Sequence, residues 1–586
     1  MPSFTSLLGF FSPKKRREAK RWKEIEASAS QLQSLPSWTS STENTLLFQA
    51  FEWHVPADGH HWVRLRNALP GLKAIGVDQI WLPPGCKGMD RDGNGYDIYD
   101  LYDLGEFEQK GAVGTKFGAR GELLELVYEA RGLGVKLIWD AVLNHKAGAD
   151  RVERCMAVKV DGERRNVETS APSEIDAWVA FDFPGRGDRY STTKYRQDHF
   201  SGVDWDQSAQ ENAVYRLIGP RKGWATDVSR EKGNYDYLMF ANLDLAHPEV
   251  RADLFNWGTW ITKELSLGGM RLDAAKHMSV AFQKAFAAHV REATGDRDLV
   301  FIGEYWTENL RELMKYLEDV QYTLAAYDVP LVNSFSRISR TRAADLRKIF
   351  DGTLVQKKPT HAVTIVTNHD TQPGQMMDTP VAPSFKPLAY ALTLLRKEGN
   401  PSLFYGDLYG INNRTSSGKP ALPVSPKRPS FADKLPILTR ARKHFAYGEQ
   451  QDYFDKPNCV GFIRYGNARH PAGLACVLSN AGAATKRMYV GPGHANETWT
   501  DILRPNSQAR TGTQKVTIDS RGYAEFPVEA CSVSVWVEES AAARFELRFE
   551  DKLFVSPAAP SLIFGLWFMV FALLAGWFIA CLYVVC

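Results

Sequence analysis

Residues 268–277 read GGMRLDAAKH, a short apolar run interrupted by an arginine and an aspartate and followed by a lysine and a histidine. Alternate residues of a β-strand face opposite sides, so Arg271 and Asp273 point one way while Met270, Leu272 and Ala274 point the other. Buried charge is costly unless it is paired. An isolated arginine and aspartate two apart is ordinarily a structural pair at a strand end. What surrounds the segment decides whether this pair does more.

Working outward, the runs TLLFQAF, DQIWLP, VKLIWDAVLNH, LVFIGEYW, AVTIVTNHD and PSLFYGDLYG alternate with helical patterns, and several end in a charged or polar cluster. That alternation predicts a parallel βαβ architecture with its working residues at the carboxyl ends of strands. Asp273 and Glu304 are 31 residues apart and Glu304 and Asp370 are 66 apart. These are one and about two units of a (β/α)8 barrel of roughly 250 residues. Asp140 and Asp273 are separated by 133 residues, which leaves room for an insertion after the third strand.

The expected organisation is therefore a TIM barrel over residues 44–145 and 245–446, an inserted small domain over 146–244, and a C-terminal β-sandwich over 447–540. The sandwich rests on short alternating segments such as RMYVG, QKVTIDS and SVSVWVEE. A basic segment over 1–43, a linker over 541–561 and a hydrophobic tail complete the chain.

Composition bounds the function. A chain of 586 residues suggests about three domains, and a net charge of +3 argues against nucleic acid as the main partner. The seven cysteines are scattered with no C-x-x-C pair, which fits reduced thiols. The 16 tryptophans and 22 tyrosines would suit a groove that stacks on flat apolar faces. No secretory signal is read at the amino terminus, where the apolar patch precedes the basic run. Residues 562–586 carry no charged side chain and are long enough to cross a bilayer. They predict a membrane-associated protein held by a tail anchor, with its catalytic body in the cytoplasm; attachment through a GPI signal is the second reading.

Asp273, Glu304 and Asp370 thus stand at predicted strand ends. Glycoside hydrolysis with retention needs two carboxyls about 5–5.5 Å apart, one to attack and one to protonate the leaving oxygen. Arg271 is expected to keep Asp273 ionised, and the apolar neighbours of Glu304 to hold a proton on it.

With DAVLNH, GGMRLDAAKH, FIGEYW and VTNHD in this order, the chain resembles the α-amylase family, glycoside hydrolase family 13. Longer strings, among them GNGYDIYDLYDLGEFEQKGAVGTKFG and GNYDYLMFANLDLAHPEV, are similar to the liquefying bacterial and intracellular fungal members over about residues 44–539. The resemblance implies Asp273 as nucleophile, Glu304 as acid/base and Asp370 as a third carboxylate that grips sugar hydroxyls. Arg271 would orient Asp273, His145 and His369 would hydrogen-bond the sugar, Tyr96 would stack on it, and Lys276 and His277 would line the leaving-group side. It also implies calcium, held by Asn144, Asp236, Asn242 and the backbone carbonyl of His277. Asn242 departs from the aspartate common in bacterial relatives, and Ala225 and Ala246 supply no side-chain ligand for further ions. The implied activity is endo-acting, retaining hydrolysis of the α-1,4-glucan of starch, glycogen or maltooligosaccharides. A 4-α-glucanotransferase using the same residues, or a catalytically silent, membrane-tethered scaffold, are the alternatives.

Overall fold

The computed structural model describes residues 43–412, 428–503 and 514–545. Eight parallel strands close into a barrel: β1 (Leu47–Gln49), β2 (Gln79–Trp81), β3 (Lys136–Ala141), β4 (Gly269–Leu272), β5 (Val300–Gly303), β6 (Ala325–Tyr327), β7 (Ala362–Thr364) and β8 (Asn400–Phe404). Each strand pairs with its sequence neighbours and β8 returns to β1. Barrel strands are covered by helices outside and by side chains inside, so they read as continuous buried runs. In β3, Leu137 to Ala141 are buried throughout. The GGMRL run forms β4, with Arg271 opposite Asp140 of β3 on one side and Ile302 of β5 on the other.

β6 has only three residues, Ala325, Ala326 and Tyr327, too few to stand out as a periodic run. What secures it is the residue that follows. The buried Asp328 carboxylate accepts hydrogen bonds from the N–H groups of Leu331 at 3.1 Å, Leu354 at 3.0 Å and Val355 at 2.7 Å. It thereby caps the helix Val329–Arg340 and holds the start of the short helix Leu354–Lys357.

Between β3 and β4 the chain builds a six-stranded antiparallel sheet. Its strands lie side by side as His145–Lys146, Ala241–Leu243, Phe200–Asp206, Glu211–Leu217, Arg151–Lys159 and Ser173–Ala180. The helix Pro248–Glu264 then leads back to the barrel. Because His145–Lys146 follows β3 almost directly, this sheet stands at the carboxyl ends of the barrel strands. Beyond the barrel, a second antiparallel sheet of six strands runs from Gln450–Lys456 to Ser532–Glu538, with a two-stranded ribbon of Ala484–Tyr489 and Tyr523–Val528 beside it. Arg396, after the helix Lys386–Leu394, fixes this sheet to the barrel through a bidentate pair with Asp452 at 2.7 and 2.9 Å.

Among the described residues no helix is long and apolar enough to cross a membrane. The expected span at 562–586 lies outside the described residues, as do the basic segment 1–42 and the linker beyond residue 545.

Asp328→Ala should lower the stability of the barrel by about 2–4 kcal/mol, since it removes a helix cap worth about 1 kcal/mol and leaves buried N–H groups unpaired at about 1–3 kcal/mol each. The shift in urea midpoint measures it. An unchanged midpoint would show that these three bonds do not hold the sixth strand in place.

Candidate active site

Arg271 is 1% exposed and faces into the mouth of the barrel. Its Nη1 lies 2.6 Å from Asp140 Oδ1 and 2.7 Å from Asp273 Oδ1, and its Nη2 pairs with Glu304 Oε1. Three strands thus deliver three carboxylates to one guanidinium. The strand ladders extend just far enough to do this. The N–H of Asp273 donates to Ala141 O at 3.1 Å, and that of Glu304 donates to Leu272 O at 3.0 Å. At Ala274 the backbone turns into the left-handed region, with φ 52°, and its N–H donates to Glu304 Oε2 at 3.0 Å. A non-glycine residue held there marks a local conformation that the surroundings enforce.

Asp140 was not marked by sequence reasoning as a site residue, yet it anchors the group. Trp81 Nε1 and Tyr96 OH each donate to its Oδ2 at 3.0 Å, on the opposite side from Arg271. Its register opposite Arg271 was the available signal, and that register needs the pairing of β3 with β4 to be known.

His369 lies 2.9 Å from Gln49 Nε2 through Nδ1 and 2.7 Å from Tyr96 OH through Nε2. An amide nitrogen can only donate, so Nδ1 accepts and the ring proton sits on Nε2. That nitrogen is also 3.2 Å from Asp370 Oδ2. Burial, with the charge of Arg271, holds the imidazole well below its usual range and therefore neutral. Tyr96 stacks on His369 at 5.4 Å with an interplanar angle of 2°, and Trp53 stacks on Tyr96 at 5.9 Å and 6°. Trp53, which follows β1, is a second residue that sequence reasoning missed. It is positioned by a bond from its N–H to Gln372 Oε1, and Gln372 in turn donates to the buried Glu52.

His145 lies 2.7 Å from the Tyr96 carbonyl through Nε2, and burial pushes its pKa down to about 4. Lys276 and His277 turn toward the inserted segment. Lys276 Nζ donates to Trp306 O at 3.1 Å and pairs with Glu231, while His277 Nδ1 lies 2.7 Å from Tyr235 O with its ring against that tyrosine. Burial pushes His277 down to about 3.

The electrostatics differ from the sequence expectation for Asp273. Burial is the largest influence on its carboxyl and pushes it well above the usual range, with Glu304, Asp140 and Asp370 adding to the rise. Arg271 opposes this, but its charge is divided among three carboxylates and does not outweigh burial at Asp273. Asp370 rises to about 7 from burial and then from the charge of Glu304. Burial and the repulsion of neighbouring carboxylates thus raise Asp140, Asp273 and Asp370 together.

A second polar group lies where the inserted sheet meets the barrel. Asn144 Nδ2 donates to Asn242 Oδ1 at 2.9 Å, Asn242 Nδ2 to Ser201 Oγ at 2.9 Å, and Ser201 Oγ to Asp236 Oδ2 at 3.3 Å. Asn144 Oδ1 is buried with no hydrogen-bond partner, and burial pushes Asp236 up to about 7. Among the described residues no group of three or more His, Cys, Asp or Glu side chains is arranged to hold a metal. The donors here are amide and carboxylate oxygens, which suit a hard cation.

Known proteins match this arrangement in sequence and fold. A family model described as the alpha amylase catalytic domain covers residues 63–444. The chain is 44% identical over 499 residues to a glucan 1,4-alpha-maltohexaosidase of Bacillus sp. (strain 707), covering 85% of this chain and 93% of that one. It is 38% identical over 500 residues to the cytoplasmic alpha-amylase of Escherichia coli (strain K12), covering 85% and 99%. The crystal structure of alpha-amylase from Geobacillus thermoleovorans complexed with acarbose matches with a TM-score of 0.56 at 19% identity, covering 84% of this chain and 98% of that chain, a likeness of fold. These findings correct the expected membrane-associated localisation. No described helix has the length and apolarity a bilayer demands, and a relative matched along nearly its whole length is named as cytoplasmic. With the motifs carried on the strands of a closed eight-stranded barrel and the catalytic-domain model spanning most of the chain, this protein belongs to the alpha-amylase family.

Proposed function

We propose that the chain hydrolyses the α-1,4-glucan of starch, glycogen or maltooligosaccharides internally and with retention of configuration. The observation that carries this reading is the contact of one guanidinium with both Asp273 and Glu304. Two carboxyls gripped by the same group favour the short separation of a retaining pair, about 5–5.5 Å, over the longer one that admits a water between them. The chain is divided accordingly into a barrel over 44–145 and 245–446, an inserted domain over 146–244 and a C-terminal sandwich over 447–540.

Asp273 is the nucleophile. Its Oδ1 is held by Arg271, which leaves Oδ2 to attack the anomeric carbon as the glycosidic bond breaks. Glu304 gives its proton to the departing oxygen, then takes one from the water that cleaves the glycosyl ester, so that both carboxyls return to their starting states. The Ala274 N–H holds Glu304 Oε2 while Arg271 holds Oε1, which fixes the plane of the carboxyl beside Asp273. Asp370 and the Nε2–H of His369 grip hydroxyls of the sugar being cleaved, Tyr96 stacks on its ring, and His145 binds a further hydroxyl. Lys276 and His277 close the leaving-group side from the junction with the inserted segment. A glucanotransferase or a silent scaffold finds no support in the relatives, which are named as alpha-amylases.

Calcium fits the oxygen donors of Asn144, Asp236, Asn242 and the His277 carbonyl. The unpartnered Asn144 Oδ1 and the buried Asp236 carboxyl are the two features that call for a cation. When bound, it would neutralise Asp236 and tie the inserted segment to the barrel.

Asp273→Asn should cut glucan turnover by roughly four orders of magnitude while the circular dichroism spectrum stays that of the parent, since it removes the nucleophile with little change of shape. NMR of freshly cleaved product should show the α-anomer first; initial β-product rules out double displacement.

Asp370 carries a proton below about pH 7 and loses it as the pH rises through that value, which adds a negative charge beside Glu304 and Asp273. kcat/KM should therefore fall on the alkaline side with an apparent pKa near 7, and a profile level to pH 9 would contradict that electrostatic picture. Chelation should lower the melting temperature, because a ligand bound only by the folded state stabilises it by mass action, and Asn242→Asp should tighten calcium binding. Melting that is indifferent to chelator would remove calcium from the proposal.

A further inference from the structure

The segment that leaves β1 turns alternate residues onto one ring of the site. Gln49 donates to His369 Nδ1 at 2.9 Å, the Phe51 ring lies 4.9 Å from that of His369, and Trp53 stacks on it at 6.0 Å and 7°. Glu52 stands between Phe51 and Trp53 and is 0% exposed. Both of its oxygens are engaged elsewhere. Oε2 accepts from the His54 N–H at 2.7 Å and from Gln372 Nε2 at 3.1 Å, while Oε1 accepts from the Asn412 N–H at 3.3 Å and from Asn412 Nδ2 at 3.1 Å. These donors come from the loops after β1 and β7 and from the chain beyond the short helix Tyr405–Tyr409, which follows β8. β7, β8 and β1 are consecutive around the barrel, so one carboxyl clasps the seam at which it closes.

The chemistry of the four donors defines what they require. Backbone and amide N–H groups only donate, so together they satisfy an ionised carboxylate and offer nothing to accept the proton of a carboxylic acid. None of the four carries a charge, and burial pushes the Glu52 carboxyl up from its usual range. Such a group is kept where its hydrogen bonds offset the loss of water. Gln372 passes the constraint on. Its amide nitrogen faces Glu52, which leaves its oxygen for the Trp53 N–H at 3.1 Å. Trp53 in turn lies parallel to Tyr96 and to His369, the two rings that receive the sugar in the reading above. A change at Glu52 therefore reaches that wall through Gln372 and Trp53, although no hydrogen bond of Glu52 goes to either ring.

We propose that Glu52 is a positioning residue for the reaction: it holds the loops at the barrel seam and, through Gln372, sets Trp53 against Tyr96 and His369 before substrate arrives. This rests on the glucan hydrolase reading above. The wall meets the sugar in the ground state and in the transition state alike, so loosening it weakens binding and raises KM while kcat is largely kept. A merely structural role predicts the opposite. Loss of folded enzyme lowers the apparent kcat and leaves KM where it was.

Hydrolysis of maltoheptaose is to be measured, well below each melting temperature, for the parent, Glu52→Gln, Trp53→Ala and the double variant. Glu52→Gln keeps the shape but turns an NH2 group toward N–H donors. It should raise KM about tenfold and leave kcat within about threefold. In the Trp53→Ala background the same substitution should add less than about twofold, since residues that act through one another are not additive. Asn412→Asp, at a half-buried position, sets a second carboxylate against Glu52 and should raise KM in the same direction, which keeps the test open if Glu52→Gln does not fold. A fall in kcat with unchanged KM would overturn the proposal, as would a full Glu52→Gln effect in the absence of Trp53. Calorimetric titration of maltoheptaose into Asp273→Asn, with and without Glu52→Gln, reads the same loss as weaker binding without turnover. A parent that binds maltoheptaose but cleaves none would refute the hydrolase reading, and a tenfold weaker titration with Glu52→Gln would then still support the positioning role. A parent that neither binds nor cleaves it would overturn both.

Discussion

Arg271 brings a full positive charge into the mouth of a barrel whose walls are apolar, and Asp140, Asp273 and Glu304 close on it from three adjacent strands. Removing water from such a group is costly enough that the cation and its partners must be assembled together or not at all. The register of β3, β4 and β5 is thereby tied to the chemistry, because a slip of one residue would turn Arg271 away from the interior. Asp140 carries most of the supporting role. It takes Arg271 on one oxygen and Trp81 and Tyr96 on the other, so the aromatic wall and the charged floor are fastened at one carboxyl.

The same crowding explains the protonation of the site. A guanidinium shared three ways does not outweigh burial at Asp273, and Asp370, which touches His369, is raised by burial and by the charge of Glu304 more than the charge of Arg271 lowers it. Asp140, Asp273 and Asp370 therefore all stand above the ordinary carboxylate range.

The inserted sheet adds a second level of organisation. Its first strand, His145–Lys146, begins almost where β3 ends, so residues that contact the catalytic group and residues that join the insertion to the barrel are neighbours in sequence. Lys276 and His277 perform the corresponding service from β4, bonding to Trp306, Glu231 and Tyr235. The buried Asn144, Asn242 and Asp236 lie along this junction. The junction thus holds an unpartnered amide oxygen and a carboxyl raised by burial.

Much of this arrangement is legible in the order of the residues. Short apolar runs ending in DAVLNH, RLDAAKH, GEYW and TNHD announce strands that deliver charged residues at their carboxyl ends, and the spacing between those ends is that of βα units. Other features are not legible there. β6 is three residues long and leaves no periodic trace, and Asp328, which secures it, looks like any loop aspartate until the three N–H groups from separate segments converge on it. Trp53 and Asp140 owe their roles to neighbours hundreds or scores of residues away. The direction of the Asp273 shift cannot be read from the adjacent Arg271, because local sequence shows the attraction of one partner and hides the competing carboxylates and the depth of burial. Sequence by itself determined which chemical groups stand at the strand ends and in what order. Tertiary structure alone decided how they share charge, since that depends on distances across strands and on how thoroughly the closed barrel excludes water.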